Sequence, residues 1–176
     1  MCNPILTGLL YLLFSLVAGL AQAQTCNPEL IPASTPDSQF LDNGDGTITD
    51  TKTGLMWKQC SEGQSGNDCS SGSAEIFEWQ LALQQAQVVN NSGGFAGFTD
   101  WRVPNIKELS SLVERQCADP AINLMRFPNT PTAMYISASA VTGKMYGAWF
   151  VYFREGGATR LDKGFDSRLR LVRSAP

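Results

Sequence analysis

Apolar residues run almost without a break from Ile5 to Leu20, and residues 1–23 carry no charged side chain. The run is sixteen residues long, short for a bilayer span of about 20. Ala21-Gln22-Ala23 then supplies the small-x-small pattern of a signal-peptidase site. The pattern predicts an export signal over 1–23 and no membrane span once it is removed. Residues 24–39 are rich in Pro, Thr and Ser and read as an extended leader. From Phe40 the pattern turns to short apolar segments separated by dense turn signals: Phe40-Leu41, Thr47 to Asp50, and Leu55 to Trp57, with Asp42 to Gly46 and Thr51 to Gly54 between them. These predict a meander of short antiparallel strands.

Helical spacing follows. Phe77, Trp79, Ala82, Leu83 and Ala86 share one face and predict a first helix over 76–89. The second starts at a sharper signal. Pro104 keeps Val103 out of helical backbone, Asn105 is a good N-cap, and Glu108 completes a capping-box pattern. Ile106, Leu109, Leu112 and Val113 continue one apolar stripe, so this helix is expected to run to about Cys117. After an irregular stretch, strands are predicted at Tyr135 to Ser139, at Met145 to Phe153 and at Thr159 to Leu161. Arg168 to Arg173 alternates basic and apolar residues and predicts a terminal strand with one solvated face. Strands, two helices and strands again make an α+β domain over 40–176: two helices packed on short antiparallel sheets.

Five cysteines minus Cys2 leave Cys26, Cys60, Cys69 and Cys117. An even count in an exported chain reads as two disulfides, with three pairings formally open. The Gly/Ser-rich loop between Cys60 and Cys69 favours a local bridge, which leaves Cys26 with Cys117. Such bridges contribute roughly 2.7 and roughly 4.6 kcal/mol in the chain-entropy account. Zinc is disfavoured, since there is no CxxC and no histidine. The lack of histidine also removes the commonest general base and every Ser-His or Cys-His pair.

The net charge of −3 argues against nucleic-acid binding. Its distribution is uneven. From Lys144 onward seven basic residues face three acidic ones, a balance of +4, so the rest of the chain carries −7. The Asp-rich turn invites a calcium site, but an EF-hand register would put Leu41 and Lys52 at ligand positions, and it fails. A tight hairpin is the preferred reading there. A non-EF calcium site at Asp42 or Asp45 stays open, and no other cofactor is expected.

Several motifs belong together. Phe40 to Asp50 with Thr53-Gly54-Leu55-Met56-Trp57 comes first, then Trp79 with Ala82-Leu83. Asp100-Trp101-Arg102-Val103-Pro104-Asn105 with Lys107-Glu108-Leu109 follows, and the set closes on Phe127-Pro128, Ala148 to Val151 and Arg170 to Arg173. In that order they resemble the bacterial Lcl C-terminal-type domain. Ile136 is a departure, because the family commonly has Trp there. The resemblance implies a fold related to C-type-lectin-like and sulfatase-modifying-factor domains, in exported proteins linked to adhesion and to sulfated glycans. It carries over no catalytic residue. Trp57, Trp79, Trp101, Trp149, Asn105 and Glu108 read as scaffold. The ligand surface is expected between Ser137 and Arg168, with Lys144, Tyr146, Tyr152, Arg154, Arg160 and Lys163 as binding candidates, since their cations and phenols suit sulfate and sugar hydroxyls. Two alternatives stand beside this: a structural module whose partner is another protein or a second copy, and an enzyme of the sulfatase-modifying kind. The enzyme needs a reactive cysteine pair, and Cys60 and Cys69 sit in a soft loop better suited to a structural bridge.

Overall fold

The computed structural model describes residues 23–176. The expected signal over 1–23 therefore lies outside the described residues except for Ala23, and so does Cys2. In chain order the elements are β1 (Thr25–Cys26), a 3-10 turn (Asp37–Gln39), β2 (Phe40–Asp42), β3 (Thr47–Asp50), β4 (Leu55–Lys58), β5 (Gln64–Ser65), β6 (Ser71–Gly72) and α1 (Trp79–Asn91). There follow α2 (Ile106–Ser110), β7 (Cys117–Ala118), β8 (Met134–Ala140), β9 (Gly147–Tyr152), β10 (Gly157–Asp162) and β11 (Val172–Ser174). The strands form a four-stranded sheet β11-β4-β3-β2, a three-stranded sheet β10-β9-β8 and two ribbons, β1-β7 and β5-β6. All named pairs are antiparallel. This is the expected α+β arrangement of helices on small antiparallel sheets. Both bridges are formed, Cys26–Cys117 and Cys60–Cys69. Among the described residues no helix is long and apolar enough to cross a membrane.

The fold has two cores, because successive residues of a strand point to opposite faces. Trp57 and Val151 enter one core with Leu109 and Leu112; Met56 and Phe150 enter the other with Ala82, Ala86 and Trp101. The stretch 99–109 joins them. Trp101 and Val103 sit in the α1 core, and Leu109 sits in the other. The capping box expected at Asn105 is present: its Oδ1 accepts from the Lys107 and Glu108 amides at 2.9 and 3.0 Å, and Glu108 Oε2 accepts from Asn105 N at 2.8 Å.

Four expectations need correction. The first helix begins at Trp79 rather than at 76 and runs on to Asn91. The second stops at Ser110, far short of Cys117. Leu112 and Val113 are still buried, but through tight turns in which Leu112 N donates to Leu109 O and Val113 N to Ser110 O. Glu114 ends the helical path, because its carboxylate gathers Ser34 N, Thr35 N, Thr35 Oγ1 and Gln116 N, all at 2.9 Å. Cys117 consequently lies in β7, directly opposite Cys26, and the leader is held there and again at Ser34 and Thr35 by Glu114. The third correction concerns the terminal strand, whose basic face is not solvated. Arg170 is fully buried and Arg173 nearly so. Val172 pairs with Trp57 on one side and Arg102 on the other, so both edges of the segment are bonded, and the burial of Leu169 to Arg173 shows that its faces are covered as well. Fourth, Trp79 and Trp149 are half-buried rather than core residues like Trp57 and Trp101.

Glu114 gives a pH-dependent prediction. Burial opposes its charge, but the N–H groups of Gln116, Ser34 and Thr35 and the Thr35 hydroxyl outweigh it and hold the carboxyl below its ordinary pKa. A depressed folded pKa contributes stability that is present above the unfolded value and lost as pH falls through the folded one. Glu114→Ala is expected to cost about 3 kcal/mol at neutral pH through the donors it leaves unpaired. Urea titrations of both proteins should show the gap closing as pH falls below the ordinary carboxyl range. A gap that is constant with pH would contradict the assignment.

Candidate anion-binding cleft

A cleft forms where the β8–β9 turn meets the end of β10. β8 and β9 pair from Met134↔Tyr152 to Ala140↔Ala148, with a bulge between Ile136 and Ala140. Ser137 stabilises the bulge by donating to Trp149 O at 2.6 Å, while Ser139 Oγ accepts from Ile106 N at 3.0 Å and ties it to the start of α2. The chain then turns through Thr142-Gly143, where Gly143 has φ +75°, and returns as β9. The result is an open cleft of about 570 Å³ lined by Val141, Lys144, Met145, Tyr146, Arg160 and Asp162, among others.

Two cations line it, Lys144 and Arg160, and a third, Lys163, is bonded to the backbone of its wall at Met145 and Tyr146. Arg160 lies opposite Trp149 in the β9–β10 register, and its guanidinium sits over that indole, 4.5 Å from the centroid. Lys163 Nζ sits 4.3 Å over the Trp79 ring and donates to Met145 O at 3.0 Å. Its backbone N–H donates to Tyr146 O at 2.7 Å, and its carbonyl accepts from Trp79 N at 2.9 Å, so the site is braced against the start of α1. Lys144 stands exposed in the turn. Among the described residues none of the three forms an ion pair. Asp162, the one carboxylate in the lining, accepts from Gly164 N at 2.8 Å. The half-buried tryptophans thus act as platforms that fix two cations at the rim. Their position between core and surface has a chemical use that sequence reading as plain scaffold missed.

Tyr152 and Arg154 are not part of this group. They lie at the other end of the hairpin, about 17 Å away at the usual rise per residue. There Tyr152 and Asp119 hold the Arg154 guanidinium above its ordinary pKa, with Asp119 Oδ1 at 3.3 Å. The structure therefore brings together Lys144, Tyr146, Arg160 and Lys163 and leaves two candidates outside. Hydrophobic walls at Val141, Leu161 and Met145 complete the cleft. Their apolar character gave no signal in the sequence, because it is the turn that makes them neighbours.

Residues 46–173 match the sequence profile of the Lcl C-terminal domain. The chain belongs to the Lcl C-terminal domain family. The match covers the cleft, both helices and all the cysteines except Cys2 and Cys26, and it starts a few residues after Phe40, where the motif resemblance begins. A comparison with curated proteins gave no match. In this Lcl C-terminal domain three charged motif residues, Asp100, Arg102 and Glu108, are spent on structure. Arg102 forms a two-pronged bridge to Glu108, both distances 2.7 Å, and this pair holds the Glu108 carboxyl below its usual pKa. Arg173 does the same for Asp100, with Nε at 2.7 Å. Asp42 and Asp45 shape their own turn: Asp42 Oδ1 accepts from Gly44 N at 2.9 Å, and Asp45 Oδ1 from Thr47 N at 3.0 Å and Thr47 Oγ1 at 2.6 Å. Among the described residues no group of three or more His, Cys, Asp or Glu side chains is placed to hold a metal.

Proposed function

We propose that the protein is an exported, non-catalytic adhesion module of C-type-lectin-like fold that binds sulfated glycans at the cleft of Lys144, Tyr146, Arg160 and Lys163. The observation that supports this is the presence of three cations at the cleft or its wall without a carboxylate partner among the described residues, two of them held over indole rings. Guanidinium and ammonium groups free of ion pairs suit sulfate oxygens, and Tyr146, 66% exposed, offers a phenol to a sugar ring. Two disulfides suit an oxidising compartment, which fits export to the periplasm or the cell surface.

Retention on immobilised heparin tests this. The protein should bind at low salt and elute as NaCl rises. Arg160→Ala and Lys144→Ala should each weaken binding about tenfold, as expected for loss of a charge-assisted hydrogen bond, with denaturation midpoints unchanged. Arg154→Ala, at the far end of the hairpin, should behave as the wild type. Failure to bind heparin at any salt concentration would sink the anionic-glycan reading.

A second reading rests on the rim itself. Met145 is 73% exposed next to the 66% exposed Tyr146, a rim that would suit a protein partner or a second copy of the chain. An enzyme of the sulfatase-modifying kind is disfavoured, because its cysteine pair would have to be reduced, and free thiols in the mature protein would revive it.

A further inference from the structure

On the opposite flank of the four-stranded sheet, the Asp42–Gly46 turn faces the Cys60–Cys69 loop across a second depression. It has a polar lobe of about 160 Å³, lined by Asp42, Gln59 and Asn67, and a lobe of about 250 Å³ lined by Lys58, Gln64, Asn67 and Phe95. Gly44 and Gly46 line both lobes. We propose that this depression binds an uncharged, hydroxyl-rich ligand, a single neutral sugar unit.

The polar lobe contains an unspent group. Gln59 is 8% exposed, yet its side-chain amide makes no hydrogen bond among the described residues, although its backbone is fixed by donating to Gly46 O at 2.9 Å. The amide is not walled off from solvent: it opens on the cavity, free to donate and to accept there. Gln64 repeats the pattern: its Nε2 is held by Cys69 O and Asn129 O, and its buried Oε1 has no donor. Asp42 spends Oδ1 on Gly44 and keeps its second oxygen unpaired among the described residues. Carboxylate oxygens accept, whereas amides both donate and accept, and paired sugar hydroxyls match that mixture.

Charge selects the class. An anion would meet Asp42 and Asp45, while Lys58, the nearby cation, is already committed to Glu62 at 2.6 Å. A metal ion would find Asp42 in one lobe and Asp45 in the other, the latter's Oδ1 already accepting from Thr47, with Lys58 in the same lobe as Asp45 and no third ligating side chain among the described residues. The ligand that fits carries no charge. Phe95 supplies the apolar wall that the C–H face of a sugar needs. It is clamped edge-on against Trp101 at 5.9 Å and capped by Lys58 at 4.6 Å. Gly46 keeps the wall accessible, because a Cβ there would meet Phe95 Cζ at 3.0 Å. Each lobe falls below the usual range for small-molecule sites, about 300–1,000 Å³, which favours one ring over an extended chain.

The test is an NMR titration of the ¹⁵N-labelled protein with the methyl glycosides of glucose, galactose, mannose and N-acetylglucosamine. At least one should saturably shift the Gln59 and Asn67 side-chain amides and the Gly44 and Gly46 backbone amides, leaving Lys144 and Arg160 unmoved. Asp42→Asn keeps the acceptor for Gly44, and Asn67 is an exposed loop residue, so Asp42→Asn and Asn67→Ala should fold normally while raising Kd about tenfold. Retention on heparin should be unchanged in both. The proposal is overturned if no glycoside shifts these groups, if both variants bind like the wild type, or if CaCl2 alone produces the shifts. Loss of heparin retention in the same variants would also overturn it, by merging the two sites.

Discussion

Trp101→Ala should lower the unfolding free energy by about 3–5 kcal/mol, the usual cost of truncating a fully packed aromatic. The indole is 2% exposed in the α1 core and lies edge-on to Phe95. Its Nε1 donates to Phe95 O at 3.0 Å, and its backbone is gripped at both ends by the Asn90 amide, which donates to Trp101 O at 2.8 Å and accepts from Trp101 N at 2.9 Å. Truncation leaves a large cavity in the segment that joins the two cores and removes one of the two donors to Phe95 O. Against a typical domain stability of about 5–15 kcal/mol the loss is severe, and the melting temperature should fall on the order of 10 °C. Calorimetry measures the shift directly. The protein that remains folded should still be retained on heparin, because Trp101 lines neither cleft. A variant of normal stability that had lost ligand binding would overturn this scaffold role.

Arg170→Ala should be comparably damaging, again about 3–5 kcal/mol, because it strips several buried acceptors of their donor and leaves a cavity beside Phe127. The guanidinium donates to the carbonyls of Lys58 and Gln59 and to Thr130 Oγ1 at 2.7 Å, and it stacks 4.9 Å from the Phe127 centroid. Burial lowers its pKa, and the neighbouring Tyr135 phenol works in the other direction. Tyr135, itself fully buried, shares a 2.6 Å hydrogen bond with Ser61 Oγ. Arg170 thus organises the strand end from which the Cys60–Cys69 loop departs. Arg170→Lys should recover only part of the loss, since an ammonium cannot reproduce the planar fork. Equilibrium denaturation of the three proteins decides it, and a cost below about 1 kcal/mol for Arg170→Ala would refute the network's importance.

These two residues also separate what was legible in the sequence from what was not. Trp101 could be placed in the core from its neighbours alone, because Pro104, Asn105 and Glu108 fix the local backbone by rules that act within four residues. The strands around Gly44, Gly54 and Gly143, the capping box and the local bridge were readable for the same reason. Arg170 could not be. In an alternating basic strand the default is a solvated face, and only the burial of Arg170 and Arg173 in the folded protein shows otherwise. The length of α2 failed similarly, since the stripe through Leu112 and Val113 is satisfied equally well by tight turns once Glu114 is drawn to the leader.

The binding surface divides along the same line. The sequence by itself determined the class of fold, the family, the bridges and the basic excess after Lys144, because composition, spacing and turn chemistry are properties of neighbouring residues. The tertiary structure decided which cations share a site: Lys144, Arg160 and Lys163 come together because a hairpin register and a bulge place them there, while Tyr152 and Arg154 are carried to the other end by the same register. It also decided that Trp79 and Trp149 lie beneath cations rather than in the core, and that Gln59 opens on a cavity with its amide unspent. Those facts depend on residues up to about eighty positions apart, and the free energy that fixes them belongs to packing between elements rather than to any one segment.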